Sequence, residues 1–274
     1  MEFSTARQRF FNEVRQPDEQ IDLEKAALYI AQEANPNLEV NQYLNTLDAI
    51  AATIREQLPE NLYPLRLVQA INHHLYTDLN FSGNQIDYYD PRNSFLNEVI
   101  DRRTGIPITL SLVYLAIAKR LNFPMVGIGM PGHFLIRPEV EEMELFVDPF
   151  HQGEVLFMQD CQHRLNQMYG QPVEMQPTFL EAVTNRQFLA RILTNLKHIY
   201  LNRREINACL STIERILILF PEAPFELRDR GVIYFRTDRW IEARQDLEAY
   251  LAIMPAADDR AIVQNLLTRI ESFS

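Results

Sequence analysis

The sequence predicts an α+β fold in which a mixed domain, residues 1–181, is followed by an α-helical tail, residues 182–274. Three observations predict it. Apolar residues recur at helical spacing up to about residue 121, short apolar runs separated by turn residues follow from 125 to 157, and residues beyond 182 repeat with an offset of 34. The two parts also differ in charge. Residues 182–274 contain 13 basic and 12 acidic side chains, whereas residues 1–181 contain 13 basic and 25 acidic side chains.

Helices come first along the chain. From Ile21 to about Tyr76 the apolar positions have helical spacing, and prolines divide this stretch into three or four short helices. A further helix is expected from Phe95 to Arg102. In Gly105-Ile106-Pro107 the proline suits a first helical turn, and the residues from Ile108 to Leu121 are apolar nearly all round, so the sequence predicts a buried central helix.

A small antiparallel sheet is expected after Pro124. Its four predicted strands are 125–130, 133–137, 145–147 and 155–157. Five of the eight glycines lie between residues 105 and 153, where loops are therefore expected to carry a site. The segment 158–181 is expected to be a connector.

The tail contains an internal repeat. Phe220-Pro221 and Met254-Pro255 are 34 residues apart, and the same offset relates Tyr200 to Tyr234. Since 34 residues is the tetratricopeptide period, two degenerate repeats and a capping helix are predicted; an ordinary helical bundle is the alternative.

Composition excludes several classes of function. A net charge of −11 argues against duplex binding, and no apolar run is long enough to span a bilayer. Met1-Glu2-Phe3-Ser4 lacks the features of a signal peptide, so a cytoplasmic location is expected. The two cysteines, Cys161 and Cys209, support neither a disulfide framework nor a zinc cluster, and no nucleotide-binding motif is present, so no cofactor is expected.

Three motifs converge on the middle of the chain. They are DYYDPRNSFLNEVIDRRTGIPITL (87–110), GIGMPGHFLIRP (127–138) and FVDPF (146–150). The order of a helix start, a His and then an Asp resembles the papain-like transglutaminase core, and the strings resemble the bacterial SirB-type proteins, which carry tetratricopeptide repeats behind that core. This resemblance covers roughly Leu23 to Pro255 and implies a Cys at the helix start that is activated by His and Asp.

Carried over to this sequence, the resemblance places the family's His on His133 and its Asp on Asp148. The Cys position falls on or beside Pro107, so the nucleophile is missing and enzymatic activity is in doubt. Thr109, Ser111 or one of the cysteines would have to replace it. Otherwise His133 and Asp148 are a structural pair.

Other residues have both functional and structural interpretations. Asn93, Ser94 and Asn97 are candidates for lining the same cleft, although Asn93 or Ser94 could simply cap a helix. Tyr200 and Tyr234 are candidate binding residues of the repeats. His133, Asp148 and His151 form a possible metal set, which is disfavoured because a proline and an aromatic residue separate Asp148 from His151.

The sequence therefore predicts a non-catalytic protein-interaction or regulatory module that binds a protein or peptide, with the repeats as the candidate contact surface. The alternatives are a hydrolase or acyltransferase that uses a displaced nucleophile with His133 and Asp148, and a metal-dependent enzyme.

Overall fold

The computed structural model describes residues 4–58, 63–140 and 144–272. It divides into two compact units, Met1–Ile192 and Leu193–Ser274. The predicted boundary between residues 181 and 182 lies earlier than this division. The reason is that Phe188 and Ile192, in the first turns of the first repeat helix, are buried in the core of the first unit.

Three helices of the first unit fill the stretch in which three or four were expected, two more match the further predicted helices, and the helix Thr5–Val14 was not predicted. The helices are α1 (Thr5–Val14), α2 (Leu23–Ala34), α3 (Val40–Gln57), α4 (Pro64–Asn72), α5 (Leu96–Arg102), α6 (Pro107–Arg120) and α7 (Met158–Tyr169). Helix α7 occupies the segment that was expected to be a connector, so that interpretation was wrong. Only Cys161 and Leu165 are buried on α7, which makes its apolar periodicity weak.

Helix α6 is the centre of the first unit. Pro107 is its first residue, where no helical hydrogen bond is lost, and eleven of its fourteen residues are buried. The largest is Tyr114, which is fully buried and donates a hydrogen bond to Asn72 Oδ1 at 3.0 Å. The predicted buried helix is thus confirmed, and its apolar side chains belong to the core of the first unit.

The predicted antiparallel sheet is present, and its four strands pair in the order in which they follow along the chain. Its strands are β3 (Met125–Ile128), β4 (Leu135–Pro138), β5 (Phe146–Asp148) and β6 (Glu154–Leu156), and a separate parallel pair joins β1 (Ser82–Gly83) to β2 (Thr104–Gly105). His133 lies in the turn before β4 and not within the predicted strand. Asp148 is the last residue of β5, and His133 is separated from the start of β4 by Phe134.

The second unit consists of helix pairs, as the repeat predicts. Helix α8 (Asn185–Arg203) continues into this unit and is followed by α9 (Ile206–Leu219), α10 (Pro224–Arg236), α11 (Trp240–Ile253) and α12 (Arg260–Glu271). Gly231 allows α10 to approach α11, because a Cβ there would lie 2.8 Å from Leu247 Cγ. Ala243 is fully buried in the same contact. Among the helices described, none has the length and apolar character needed to cross a membrane.

Candidate active site

The candidate site is built around the carboxylate of Asp148, which is completely buried. Its Oδ1 accepts hydrogen bonds from the backbone N–H groups of Phe150 (3.0 Å) and His151 (3.2 Å), so the turn that follows β5 wraps around this oxygen. Its Oδ2 accepts from His133 Nε2 and His151 Nδ1, both at 2.8 Å, and from Arg164 Nη1. Five donors therefore converge on one side chain.

Ionisation of Asp148 reflects a balance of two effects. Burial opposes the charged form, but the hydrogen bonds and charges of His133 and His151 outweigh it and hold the pKa of Asp148 well below its usual range. Asp148 is therefore a carboxylate at neutral pH. Because a carboxylate only accepts hydrogen bonds, His133 carries its hydrogen on Nε2 and His151 carries its hydrogen on Nδ1.

The two imidazoles differ in exposure. The His133 side chain is 16% exposed and that of His151 is 42% exposed, and their ring centroids are 5.8 Å apart. Phe150 contacts both rings edge to face. Beside His151 a pocket of about 270 Å³ is also lined by Ser82, Gly83, Gln85, Phe150 and Gln152. The site is thus a buried anion under partly exposed imidazoles.

Elements outside the predicted motifs hold this arrangement. Arg164, on α7, also donates to Glu154 Oε2 at 2.5 Å and so ties α7 to β6. Asn72, at the end of α4, donates from Nδ2 to Gly153 O at 2.7 Å and supports the turn that carries His151. Neither Arg164 nor Asn72 was among the predicted site residues. The spacing of Cys161 and Leu165, four residues apart, was the one signal that would have placed Arg164 on a helix.

The possible metal set of His133, Asp148 and His151 is brought together, with one ligand atom from each within 4.8 Å of the others. Two features of the described residues favour an ion-pair cluster instead. Both imidazole nitrogens that face Oδ2 act as donors to it, and the guanidinium of Arg164 supplies the positive charge that a metal ion would bring. The donor set therefore fits a hydrogen-bonded cluster better than a metal centre.

The residues suggested as replacement nucleophiles are otherwise engaged or enclosed. Thr109 Oγ1 donates to Asn93 O at 2.6 Å and accepts from the backbone N–H of Ile106 at 3.2 Å. Ser111 is fully buried, and its hydroxyl has no hydrogen-bond partner within the described ranges. Burial raises the pKa of Cys161 to about 11 and that of Cys209 to about 11. Both thiols are therefore protonated at neutral pH.

The predicted cleft residues Asn93, Ser94 and Asn97 are all buried. Asn93 Nδ2 donates to the backbone oxygens of Asp87 (2.7 Å) and Tyr88 (3.2 Å), so it shapes the loop before α5. Neither Asn93 nor Ser94 caps α5, which begins at Leu96 after Phe95. The proposed capping role was wrong, because a short 3₁₀ turn, Pro91–Ser94, precedes the helix and is capped by Asp90.

The remaining binding candidates lie in the second unit. Tyr200 and Tyr234 are 9% and 2% exposed, respectively, so neither ring presents an open face. The Arg239 guanidinium lies 4.0 Å from the Tyr234 ring centroid, and the Tyr234 hydroxyl donates to Glu214 at 3.3 Å. These rings pack within the repeats, as aromatic residues of a helix pair do.

Comparison with known proteins agrees with this architecture. Residues 41–194 match the family model described as the transglutaminase-like superfamily, and residues 196–268 match a tetratricopeptide repeat model. A UPF0162 protein of Xylella fastidiosa (strain 9a5c) is 35% identical over 259 residues, which cover 93% of this chain and 92% of the relative.

Two further relatives differ in extent. A UPF0162 protein of Pseudomonas aeruginosa is 29% identical over 229 residues, which cover 84% of this chain and 83% of the relative. F-box only protein 21 of Homo sapiens is 26% identical over 84% of this chain, but only 41% of its own length is covered. This chain is thus similar to these two bacterial relatives along 92% and 83% of their length, respectively. The chain belongs to the transglutaminase-like superfamily and to its UPF0162 proteins.

Proposed function

We propose that this chain is a non-catalytic protein-interaction or regulatory module, in which a transglutaminase-like core holds a peptide without cleaving it and the repeats contact a protein partner. The observation that carries the proposal is Pro107. It is buried and begins the central helix α6, at the position that the family resemblance assigns to the nucleophile.

Proline at this position removes two groups that acyl transfer requires. Its side chain has no heteroatom that could attack a carbonyl carbon. It also has no backbone N–H, and the N–H of the nucleophilic residue is a common donor to the developing oxyanion. Loss of one such donor alone slows known hydrolases by about 10²- to 10³-fold. Pro107 therefore argues against turnover on two independent grounds.

The other candidate nucleophiles give little support to the enzymatic alternative. The Thr109 hydroxyl is held by backbone groups, and the Cys161 thiol is buried and protonated. Among the described residues, no hydroxyl or thiol forms a hydrogen bond with His133, whose bonded nitrogen faces Asp148. Among the described side chains, His133 therefore has no hydroxyl or thiol nucleophile to activate.

The repeats support the interaction part of the proposal. Tetratricopeptide helix pairs commonly present surfaces on which peptides or partner helices dock. In the second unit Ile241 and Ile262 are 73% and 67% exposed, respectively, and apolar side chains of this size on a surface are available to a partner. The resemblance to SirB-type proteins and a cytoplasmic location stay predictions from the sequence.

Turnover measurements test the proposal. The full chain is incubated with fluorogenic peptide, ester and amine-acceptor substrates, and its intact mass is recorded after exposure to electrophilic probes. We expect no turnover above buffer and no adduct. Turnover by the wild type that disappears in His133→Ala, with Tyr63→Ala as a matched surface control, would show that the core is an enzyme and overturn the proposal.

Surface variants test the interaction part. Partners captured by the full chain are compared with those captured by Ile241→Asp and Ile262→Asp, with Met168→Asp on α7 as the control. Loss of the same partner in both repeat variants but not in the control is expected. Unchanged capture in both would contradict a role for these surfaces.

A further inference from the structure

A cavity of about 410 Å³ lies in the first unit beside strand β3. Residues 125–127 form one of its walls, and Leu112, Ala116 and Phe188 line it with buried apolar side chains. Its volume is within the range of about 300–1,000 Å³ that is typical of ligand pockets. It shares no lining residue with the pocket beside His151, so it is a second cavity and not an extension of the candidate active site.

Strand β3 is an edge strand of the sheet, with β4 as its neighbour on the inner side. In an antiparallel pair, the backbone groups of successive residues point alternately toward the neighbouring strand and away from it. The N–H of Glu139, directly after β4, donates to Pro124 O at 2.9 Å, so this carbonyl group points toward β4. By alternation, the N–H and C=O groups of Met125 and Gly127 point outward. The hydrogen bond that Gly127 O accepts from Val183 N on the outer side, at 2.9 Å, agrees with this assignment.

The chain itself begins a ladder on this outer edge and then leaves it. Ala182 forms an antiparallel bridge with Ile128, and Val183 is bonded to Gly127 as described. Helix α8 begins two residues later, at Asn185, so the chain turns away from the strand. Val183 and Asn185 both line the cavity. The cavity therefore lies where this ladder would continue.

Three backbone groups of the edge stay free: the N–H and C=O of Met125 and the N–H of Gly127. No backbone donor or acceptor within the described ranges engages them. Unpaired edge groups are a template for another extended chain. A peptide that is added as a strand forms hydrogen bonds through its main chain and places alternate side chains in adjoining pockets. The edge and its apolar cavity together fit an extended peptide.

The charges around the cavity favour a basic peptide. Its lining includes the carboxylates of Glu19, Glu24 and Glu139 and one ammonium group, that of Lys119. Glu24 is paired with Arg120 at 2.7 Å, whereas Glu19 and Glu139 are exposed and form no ion pair with any residue that the structure describes. The whole chain has a net charge of −11. Complementary charges orient a ligand and accelerate its association.

We propose that the outer edge of β3 binds an extended segment of a partner protein in which apolar and basic residues alternate. The main chain of this segment pairs with Met125 and Gly127, and its apolar side chains enter the cavity. Its basic side chains lie near Glu19 and Glu139. This site goes beyond the proposed function, which places a peptide in the core beside His133 and a protein partner on the repeats.

Fluorescence anisotropy with the full chain tests the inference. The probe is a labelled peptide of sequence Lys-Val-Lys-Val-Lys. One comparison peptide has the same sequence with every backbone N–H methylated, and the other has glutamate in place of lysine. Saturable binding of the probe is expected. Both comparison peptides should bind about tenfold more weakly or less, because the first lacks main-chain donors and the second is repelled by the acidic rim.

Two variants at one position separate the main chain from the side chain. Met125→Pro removes the outward N–H without breaking a hydrogen bond to β4, and proline is tolerated at such edge positions. Met125→Ala is the matched control, because it shortens the side chain and keeps the N–H. Met125→Pro should bind the probe about fivefold more weakly than Met125→Ala, which is the worth of about one hydrogen bond. Circular dichroism confirms that both variants are folded.

A second pair of variants tests the charges. Glu139→Gln should weaken binding of the probe by about threefold at low salt. Glu174→Gln, at an exposed glutamate of the same unit that does not line the cavity, should leave it unchanged.

Four results would overturn the inference. They are no saturable binding up to about 1 mM, where an interaction is too weak to be specific; equal binding of the methylated peptide; equal binding of the acidic peptide; and equal affinities of Met125→Pro and Met125→Ala. The peptide comparisons use the wild type, so they decide the matter even where Met125→Pro does not fold. The proposed function is judged by turnover, so its failure would be seen separately.

Discussion

Replacement of Asp148 by asparagine should destabilise the first unit more than any change on the surface. The amide side chain would keep one oxygen for the backbone N–H groups of Phe150 and His151. Its N–H₂ group would take the place of Oδ2, where His133, His151 and Arg164 all donate. In Asp148→Asn the amide N–H₂ group would therefore face three donors and could accept a hydrogen bond from none of them.

The expected cost follows from burial. Removing one partner of a buried ion pair costs about 3–5 kcal/mol, because the other charge stays buried without compensation. The Arg164 side chain is 21% exposed and keeps its bond to Glu154, which reduces the loss. We therefore expect a loss of about 3 kcal/mol in the free energy of unfolding, at the lower end of that range.

Urea unfolding followed by far-ultraviolet circular dichroism measures this loss at pH 7. With a denaturant dependence of up to about 3 kcal/mol per M for a domain of this size, the midpoint should fall by about 1 M. Glu154→Gln is the matched control. This variant breaks the other ion pair of Arg164. Because the Glu154 side chain is 53% exposed, the free energy of unfolding should fall by less than about 1 kcal/mol.

The pH dependence gives a second measurement. Because the pKa of Asp148 is depressed in the folded chain, its stabilising contribution is complete above the unfolded value of about 3.9 and is lost as the pH falls toward the folded value. The stability difference between wild type and Asp148→Asn should therefore shrink as the pH falls below the unfolded value of about 3.9. Equal midpoints for Asp148→Asn and Glu154→Gln at pH 7 would refute the reasoning.

Three further predictions concern the surroundings of the site. Thr109→Val removes the hydroxyl that joins two backbone groups and should lower stability by about 1–2 kcal/mol in thermal unfolding. Ser111→Ala removes a buried hydroxyl that has no hydrogen-bond partner in the described part of the chain, so it should be neutral or stabilising in the same measurement. Both native thiols should resist DTNB at pH 8 until the chain unfolds, because burial raises the pKa of each to about 11; fast labelling of either in the native state would contradict this. Gly153→Ala places a Cβ 2.1 Å from Asn72 Oδ1 at a φ of +73° and should lower the free energy of unfolding by about 2 kcal/mol or more, measured by the urea midpoint. Gly170→Ala is the control, because its φ is +64° but no atom lies within 4 Å of the added Cβ, and it should cost about half as much. Equal costs would rule out a clash with Asn72.

Much of the fold could be predicted because its signals are local. Pro107 followed by apolar residues on all sides indicated a buried helix, and α6 begins at Pro107 as expected. The sheet strands and the repeat helices were equally visible, since turn residues separate the strands and a fixed offset relates Phe220 to Met254. Helix α7 was not predicted because only two of its residues are buried, so its sequence is as polar as that of a connector.

The site was less predictable because it depends on contacts between distant segments. His133 and Asp148 could be paired from the family resemblance, and they lie 2.8 Å apart. Nothing in the sequence indicated that Arg164 would share the same carboxylate oxygen, or that Asn93 would be enclosed and bonded to the backbone of the loop before α5. Such bonds follow from tertiary packing, which residue spacing along the chain does not encode.

The hydrogen-bond network around Asp148 has a consequence for how the site is preserved in evolution. Side chains from the turn before β4, the turn after β5 and helix α7, those of His133, His151 and Arg164, meet on one oxygen atom. Changes at this carboxylate would be selected against whether or not the site catalyses a reaction, because they would destabilise the fold. The presence of a histidine and aspartate couple at this place is therefore no record of turnover, because its part in holding the fold together is enough to preserve it.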